Sequence, residues 1–224
     1  NVDILWTING VLQDTVHYVG NILYQAVDTF ALDTTQFSGG VYNITAWTSY
    51  PNNILDTITS NDTSSTVFNA CLNGTYTIGD TTGGAIFDFP DFTTAVYALN
   101  NAGVCGHVIF NVDTGTYTEQ VLIDNILGAG PNSTITFQSA NGDSTGVVLE
   151  WTATSNTDNF TLKLNGADYI TIKGITIKAL NTSYATVVEL IGGAIHNTFE
   201  NNIILSIGTS SYNRCVYDYN TLNN

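Results

Sequence analysis

The acids of this chain set the limits of its chemistry. Cleaving a glycosidic bond takes two carboxyl groups close together, one as acid and one as base or nucleophile. Across residues 160–206, where the sequence is most regular, the acids are Asp168, Glu189 and Glu200, each isolated, with no Asp-Asp pair. The single arginine, Arg214, stands beside Cys215. His17, His107 and His196 lie in different segments without the spacing of metal ligands, and His196 in GGAIHNTFENN reads as a turn residue. Asp56, Asn61 and Asp62 in LDTITSNDT bring three oxygen-bearing side chains into one loop. Calcium is one use for them, but bonding to their own backbone is preferred, and calcium is left without an assigned site. Trp6, Trp47 and Trp151 offer faces on which a sugar could stack; Trp6 and Trp47 fall on alternating strands and read as core. No catalytic, cofactor-binding or metal-binding residue is therefore assigned.

The elements that must carry these side chains are short β-strands. In DYITIKGITIK, Ile170, Ile172, Ile175 and Ile177 put every second side chain on one face, and Gly174 resets the phase between two strand pieces. One such coil cannot bury its apolar face alone and must stack on neighbours. TITFQSA at 134–140, VVLEW at 147–151, FTLKL at 160–164, VVELI at 187–191 and NNIILS at 201–206 supply them, separated by turn-forming Gly, Asn, Asp, Ser and Thr. The pattern predicts an all-β chain with a right-handed parallel β-helix over 73–224. Asn197, Asn201 and Asn202 are placed to stack as an asparagine ladder between coils, satisfying backbone groups at a turn.

One segment breaks the pattern. PDFTTAVYALNNAG carries Phe92, Ala95, Val96 and Leu99 at helical spacing, with Asp91 as N-cap and Gly103 as stop. A helix over 91–102 would cover the open apolar end and strand edges of the first coil. Residues 1–72 differ again. VDILWTING, HYVGNILYQAVDTFAL and GGVYNITAWTS alternate apolar with polar between turn signals, which predicts antiparallel hairpins of a partial immunoglobulin-like sandwich.

Composition narrows the function classes. Four basic residues against nineteen acidic give a net charge of −15, which repels nucleic acid, anionic headgroups and acidic polysaccharides unless a divalent cation bridges them. With 43% hydrophobic and 11% aromatic residues the chain can bury a core, and no apolar run is long enough to span a bilayer. Neither the n-region nor the h-region of a signal peptide is found, and the chain begins at Asn1 and ends in mid-coil, so it reads as a piece of something longer. Cys71, Cys105 and Cys215 lack CxxC spacing. A Cys71–Cys105 disulfide with one spare thiol, its partners flanking the start of the solenoid, stands against three unpaired thiols.

GTYTIG, DFTTAVYALNNAGVCGHVIFNVDTGTYTEQVLI, NSTITFQSANGDSTGVVL, LNGADYITIKGITI and IGGAIHNTFENNIIL resemble the pectin-lyase-like right-handed β-helix domains of large secreted surface proteins of the Bacteroidetes. TINGVLQ and FSGGVYNITAWTSYPNNILDTITSNDT resemble the CARDB-like or fibronectin-like sandwich repeats that precede such domains. The resemblance implies export by the type IX secretion system, an extracellular or cell-surface location, and a part in adhesion or gliding. Pectate lyases and polygalacturonases share the fold, so activity must be argued from a site; DD, GHG and RIK motifs are absent. The resemblance also implies O-glycosylation of Ser or Thr after Asp when an aliphatic residue or Thr follows, with Thr15, Thr34, Thr57, Thr81 and Ser144 matching. Asn43, Asn61, Asn73, Asn132, Asn159 and Asn181 begin N-x-S/T sequons, which arise by chance in a chain so rich in Asn and Thr.

The leading expectation is a non-catalytic module of an extracellular adhesin or surface filament, partnered by glycans or surface proteins. A carbohydrate-binding or carbohydrate-cleaving β-helix with its active coils outside this chain is the alternative. A structural polymer subunit joined through strand edges is a third.

Overall fold

β-branched strands of four or five residues bury too little area to stand alone, so they gain stability only by pairing with a copy one coil away. The computed structural model describes residues 1–20, 26–33, 37, 39–51, 54, 57–58, 62–80, 85–210 and 213–219. The chain divides into two compact units, 1–70 and 71–224. The division falls slightly before the expected boundary because Leu72 is fully buried in the second unit and donates its N–H to the Gly103 carbonyl at 2.9 Å.

The first unit holds β1 (Val2–Ile8), β2 (Val11–Leu12), β3 (Val16–Tyr18), β4 (Gly40–Ser49) and β5 (Thr63–Ala70). All pairings are antiparallel, in the order β2-β1-β4-β5 with β3 also paired to β1. Antiparallel pairing is therefore present over VDILWTING and GGVYNITAWTS, as one sheet, whereas in HYVGNILYQAVDTFAL only His17 and Tyr18 lie in a strand and 26–32 form none; a second sheet facing it is not among the described residues. Trp6 is buried, and its indole N–H donates to the Asp14 carbonyl at 3.0 Å. Trp47 is only half-buried.

The second unit opens with β6 (Leu72–Ile78) and α1 (Phe92–Ala102), followed by β7 (Val104–Val112), β8 (Gly115–Thr118), β9 (Val121–Asp124), β10 (Ile135–Ser139), β11 (Val147–Trp151) and β12 (Leu162–Asn165). It continues with β13 (Ile170–Lys173), β14 (Thr176–Ala179), β15 (Thr186–Ile191), β16 (Thr198–Glu200), β17 (Ile203–Ser206) and β18 (Arg214–Asp218). Every third strand pairs in parallel, giving three sheets ordered β16-β13-β10-β7-β6, β17-β14-β11-β8 and β18-β15-β12-β9. Each coil thus lends one strand to each sheet, the arrangement of a β-helix-like fold. Strand β6 pairs in parallel with β7, so the stack begins at Leu72.

The core lies inside the coils. Ile170, Ile172, Ile175 and Ile177 are all at least 96% buried, as their alternation predicts. Tyr76, Phe110, Phe137, Ile172 and Phe199 occupy one register column, with the Phe110 and Phe137 rings stacked at 4.6 Å. Each such side chain withdrawn from water contributes about 1.5–3 kcal/mol. Helix α1 starts at Asp91, whose carboxylate accepts from the Thr94 N–H at 2.7 Å, and stops at Gly103. Gly103 has φ +68°, and a Cβ there would meet the Leu127 carbonyl oxygen at 2.4 Å, so only glycine fits. The helix buries Phe92, Ala95, Val96, Ala98 and Leu99, and the Phe92 ring meets Tyr117 edge-on at 5.2 Å.

Candidate functional site

Outward-facing side chains of a parallel stack line up in columns, so the chemistry of the surface is set by which residue types share a register. Three columns place opposite charges face to face. Lys163 of β12 is registered with Glu189 of β15, Lys173 of β13 with Glu200 of β16, and Glu150 of β11 with Lys178 of β14. Their charged atoms lie 2.6, 3.2 and 3.8 Å apart. These are all three lysines of the protein and three of its four glutamates. The fourth, Glu119, accepts from the backbone N–H groups of Phe92 at 3.2 Å and Thr93 at 2.7 Å, and from the Thr93 hydroxyl at 2.6 Å. A carboxylate at that point meets both the unsatisfied donors and the positive end of α1.

Three more acids of the coils accept from backbone N–H groups. Asp168 accepts from the Ile195 N–H at 2.8 Å. Asn156, Thr157 and Asp158 form an NTD tripeptide that sequence reasoning passed over, one of the motifs of polygalacturonase-like enzymes. Asp158 spends its carboxylate on the loop, accepting from the N–H and hydroxyl of both Thr154 and Ser155. Burial pushes its pKa up, but the Ser155 and Thr154 hydrogen bonds outweigh this and hold it below the usual carboxylate range. Asp143 is likewise held low, by the N–H and then the hydroxyl of Thr145. Tyr117 is pushed up to about 12 by burial and by the charges of Asp113, Glu119 and Asp80.

The predicted asparagine ladder takes a different form. Asn197 accepts from the Ile170 N–H and donates to the Ala167 carbonyl, while Asn202 accepts from Ile175 and donates to Ile172. Each amide brackets the backbone of the preceding coil instead of stacking on another amide. Asn201 points its amide toward Glu200 at 3.4 Å and sits at φ +53°.

The histidines stand in three separate settings. His17 pairs with Asp3 at 2.7 Å, His107 with the Thr134 hydroxyl at 2.9 Å, and His196 stacks on Tyr169 at 4.8 Å with both residues at positive φ, a turn position. Among the described residues no three His, Cys, Asp or Glu side chains gather as metal ligands would. Of the calcium-loop residues, Asp56 and Asn61 lie outside the described residues. Of the five candidate glycosylation hydroxyls, Thr15 and Thr57 are exposed, Ser144 is half-buried, and Thr34 and Thr81 lie outside the described residues. Cys71 and Cys105 form a disulfide, and Cys215 is free and exposed. No helix among the described residues is long and apolar enough to cross a membrane.

One recess on the outside of the stack carries convergent polar groups. It encloses about 260 Å³ and is lined by Gln138, Ser139, Gly142, Lys173, Gly174 and Asn201. Amides, an ammonium group and backbone in a shallow hollow can hydrogen-bond a polyol, but its side chains bring no pair of carboxyl groups to a bond between sugars.

Taken together, these features define a chain of two β units, an antiparallel sheet and a parallel β-helix-like stack whose charged side chains join coil to coil. No family model, curated protein or solved structure matches it.

Proposed function

We propose that this chain is a non-catalytic module of a large extracellular or cell-surface adhesin or filament protein, of the kind exported by type IX secretion. In this reading the first unit is a partial immunoglobulin-like repeat of the CARDB or fibronectin type. The second is the N-terminal part of a right-handed β-helix, the hand that parallel crossovers take almost without exception, with α1 as its cap. What carries the reading is the use made of the glutamates: three bind lysines of the adjoining coil and the fourth holds the helix. They serve as fasteners of a rigid body, which is what a spacer requires. The disulfide agrees with an oxidising location.

Two measurements on one preparation test it. The purified chain incubated with pectin or alginate, with and without calcium, is expected to release neither reducing ends nor unsaturated products. Antibody against the folded chain is expected to label intact cells of the native source. Turnover abolished by changing one Asp or Glu, or label confined to lysed cells, would reverse the reading. The polar recess beside Lys173 supports a second reading, a carbohydrate-binding β-helix, and its sign would be loss of glycan retention on changing Gln138.

A further inference from the structure

We infer that the Cys71–Cys105 disulfide is a load bypass: tension passing from the first unit into the coils enters at β7, leaving β6 and α1 outside the loaded path. The inference rests on the spacer reading, since only a chain pulled from both ends has such a path. The first unit ends at Ala70 and Cys71 begins the second, so the sulfur link sits on the first residue that force would reach. Its partner is the second residue of β7, 34 positions later, with the two Cα atoms 5.7 Å apart. Everything between them, including β6 and α1, lies in a loop closed by a covalent bond. A closed loop transmits no tension through its own backbone.

The two possible points of entrance differ in strength. Strand β6 is the last in its sheet and is laddered to β7 alone, apart from a bridge between Ile78 and Phe89. Strand β7 is interior, with ladders to β6 on one side and β10 on the other. Load delivered to β7 must break two ladders before a residue is freed. Without the disulfide it would peel the edge strand first and then draw away α1, whose Phe92 and Leu99 are buried in the core. The bond therefore keeps the helix seated on the coils while the chain is stretched.

The test stretches the full chain by its termini in a single-molecule instrument, with Cys215→Ser in every sample to prevent thiol exchange. The parent is compared with the same chain also carrying Cys71→Ser and Cys105→Ser. At about 3.3–3.6 Å per residue over the bypassed segment, less the 5.7 Å spanned by the link, the variant is expected to reach about 110 Å greater final length. That length is expected to appear as the first release from the second unit, at lower force than the parent's first release. Should the variant fail to fold, the folded parent is treated with a phosphine and water; the disulfide takes up two electrons from phosphorus and two protons from water, whose oxygen ends on the phosphine as its oxide. Equal final lengths in the reduced and oxidised chains would overturn the proposal, as would release of the extra length at or above the parent's first force. A chain that shows the bypass yet cleaves polysaccharide would sink the spacer reading alone.

Discussion

Lys163 and Glu189 stand opposite one another on neighbouring coils, ammonium 2.6 Å from carboxylate, with the ring of Phe160 3.9 Å below the same ammonium. Both side chains are less than one-fifth exposed. Removing one partner leaves the other charge half-buried without compensation, whereas removing both leaves a neutral surface. Glu189→Leu is expected to destabilise the protein by about 1–3 kcal/mol and Lys163→Met together with Glu189→Leu by less. Urea unfolding of both variants and of the Lys163→Met single change measures the coupling. Additive losses would show that the pair contributes nothing.

Glu119 satisfies backbone donors in the first turn of α1 from outside the helix. Glu119→Ala is expected to cost about 1–2 kcal/mol, the range for a lost cap reinforced by the helix dipole. Hydrogen exchange at the Phe92 and Thr93 amides is expected to quicken ahead of the rest of the unit. Unchanged exchange there would mean that water replaces the carboxylate without loss.

Tyr117 supplies the pH dependence. Its folded pKa is raised from 10 to about 12, so its contribution is complete below pH 10 and is lost as pH rises from 10 towards 12, where the unfolded chain ionises first. Tyr117→Phe is expected to flatten that alkaline fall. At neutral pH it costs about 1 kcal/mol, because the hydroxyl donates to the Asp113 carbonyl at 3.0 Å. Melting temperatures between pH 9 and 12 decide the matter, and parallel curves for parent and variant would refute the assignment.

Thr15 and Thr57 are exposed hydroxyls that directly follow an Asp. Protein from the native source is expected to carry O-linked glycan on Thr15, Thr34, Thr57, Thr81 or Ser144, with Thr15 and Thr57 occupied before the half-buried Ser144. Intact mass equal to the bare polypeptide would end that expectation, and glycan on the asparagine sequons would point to a different glycosylation system.

How much could be read from the sequence follows from the range of each signal. Ile170 to Ile177 and the helix from Asp91 to Gly103 were legible because burial period, N-cap and stop are written within a dozen neighbouring residues. The Lys–Glu columns were not: their partners lie 26, 27 and 28 residues apart, but most earlier coils are longer, so no fixed repeat runs along the chain to reveal them. Asn197 lies 27 residues after Ile170, whereas Asn165 lies 41 after Asp124, its hydrogen-bond partner on the coil before. Without the turn lengths no register can be set, so Glu189 and Glu200 looked solitary. Glu119 was hidden for the same reason, since its partners belong to a helix 26 and 27 residues away. The asparagines were recognised as coil fasteners, but whether an amide meets another amide or the backbone depends on turn geometry that composition does not encode.

The placement of the lysines bears on resistance to proteolysis. A trypsin-like protease cuts after Lys or Arg, and residues 1–162 contain neither. Its first target bond follows Lys163, within β12, a strand laddered on both sides, and the next two follow Lys173 and Lys178, each in a strand paired with two neighbours. A protease must draw several residues into an extended, unpaired form before it can cut. The bonds after Lys163 and Lys178 are therefore held inside paired strands, the bond after Lys173 leaves β13 at Gly174, and Arg214, in the last strand of its sheet, offers a scissile bond near an open edge.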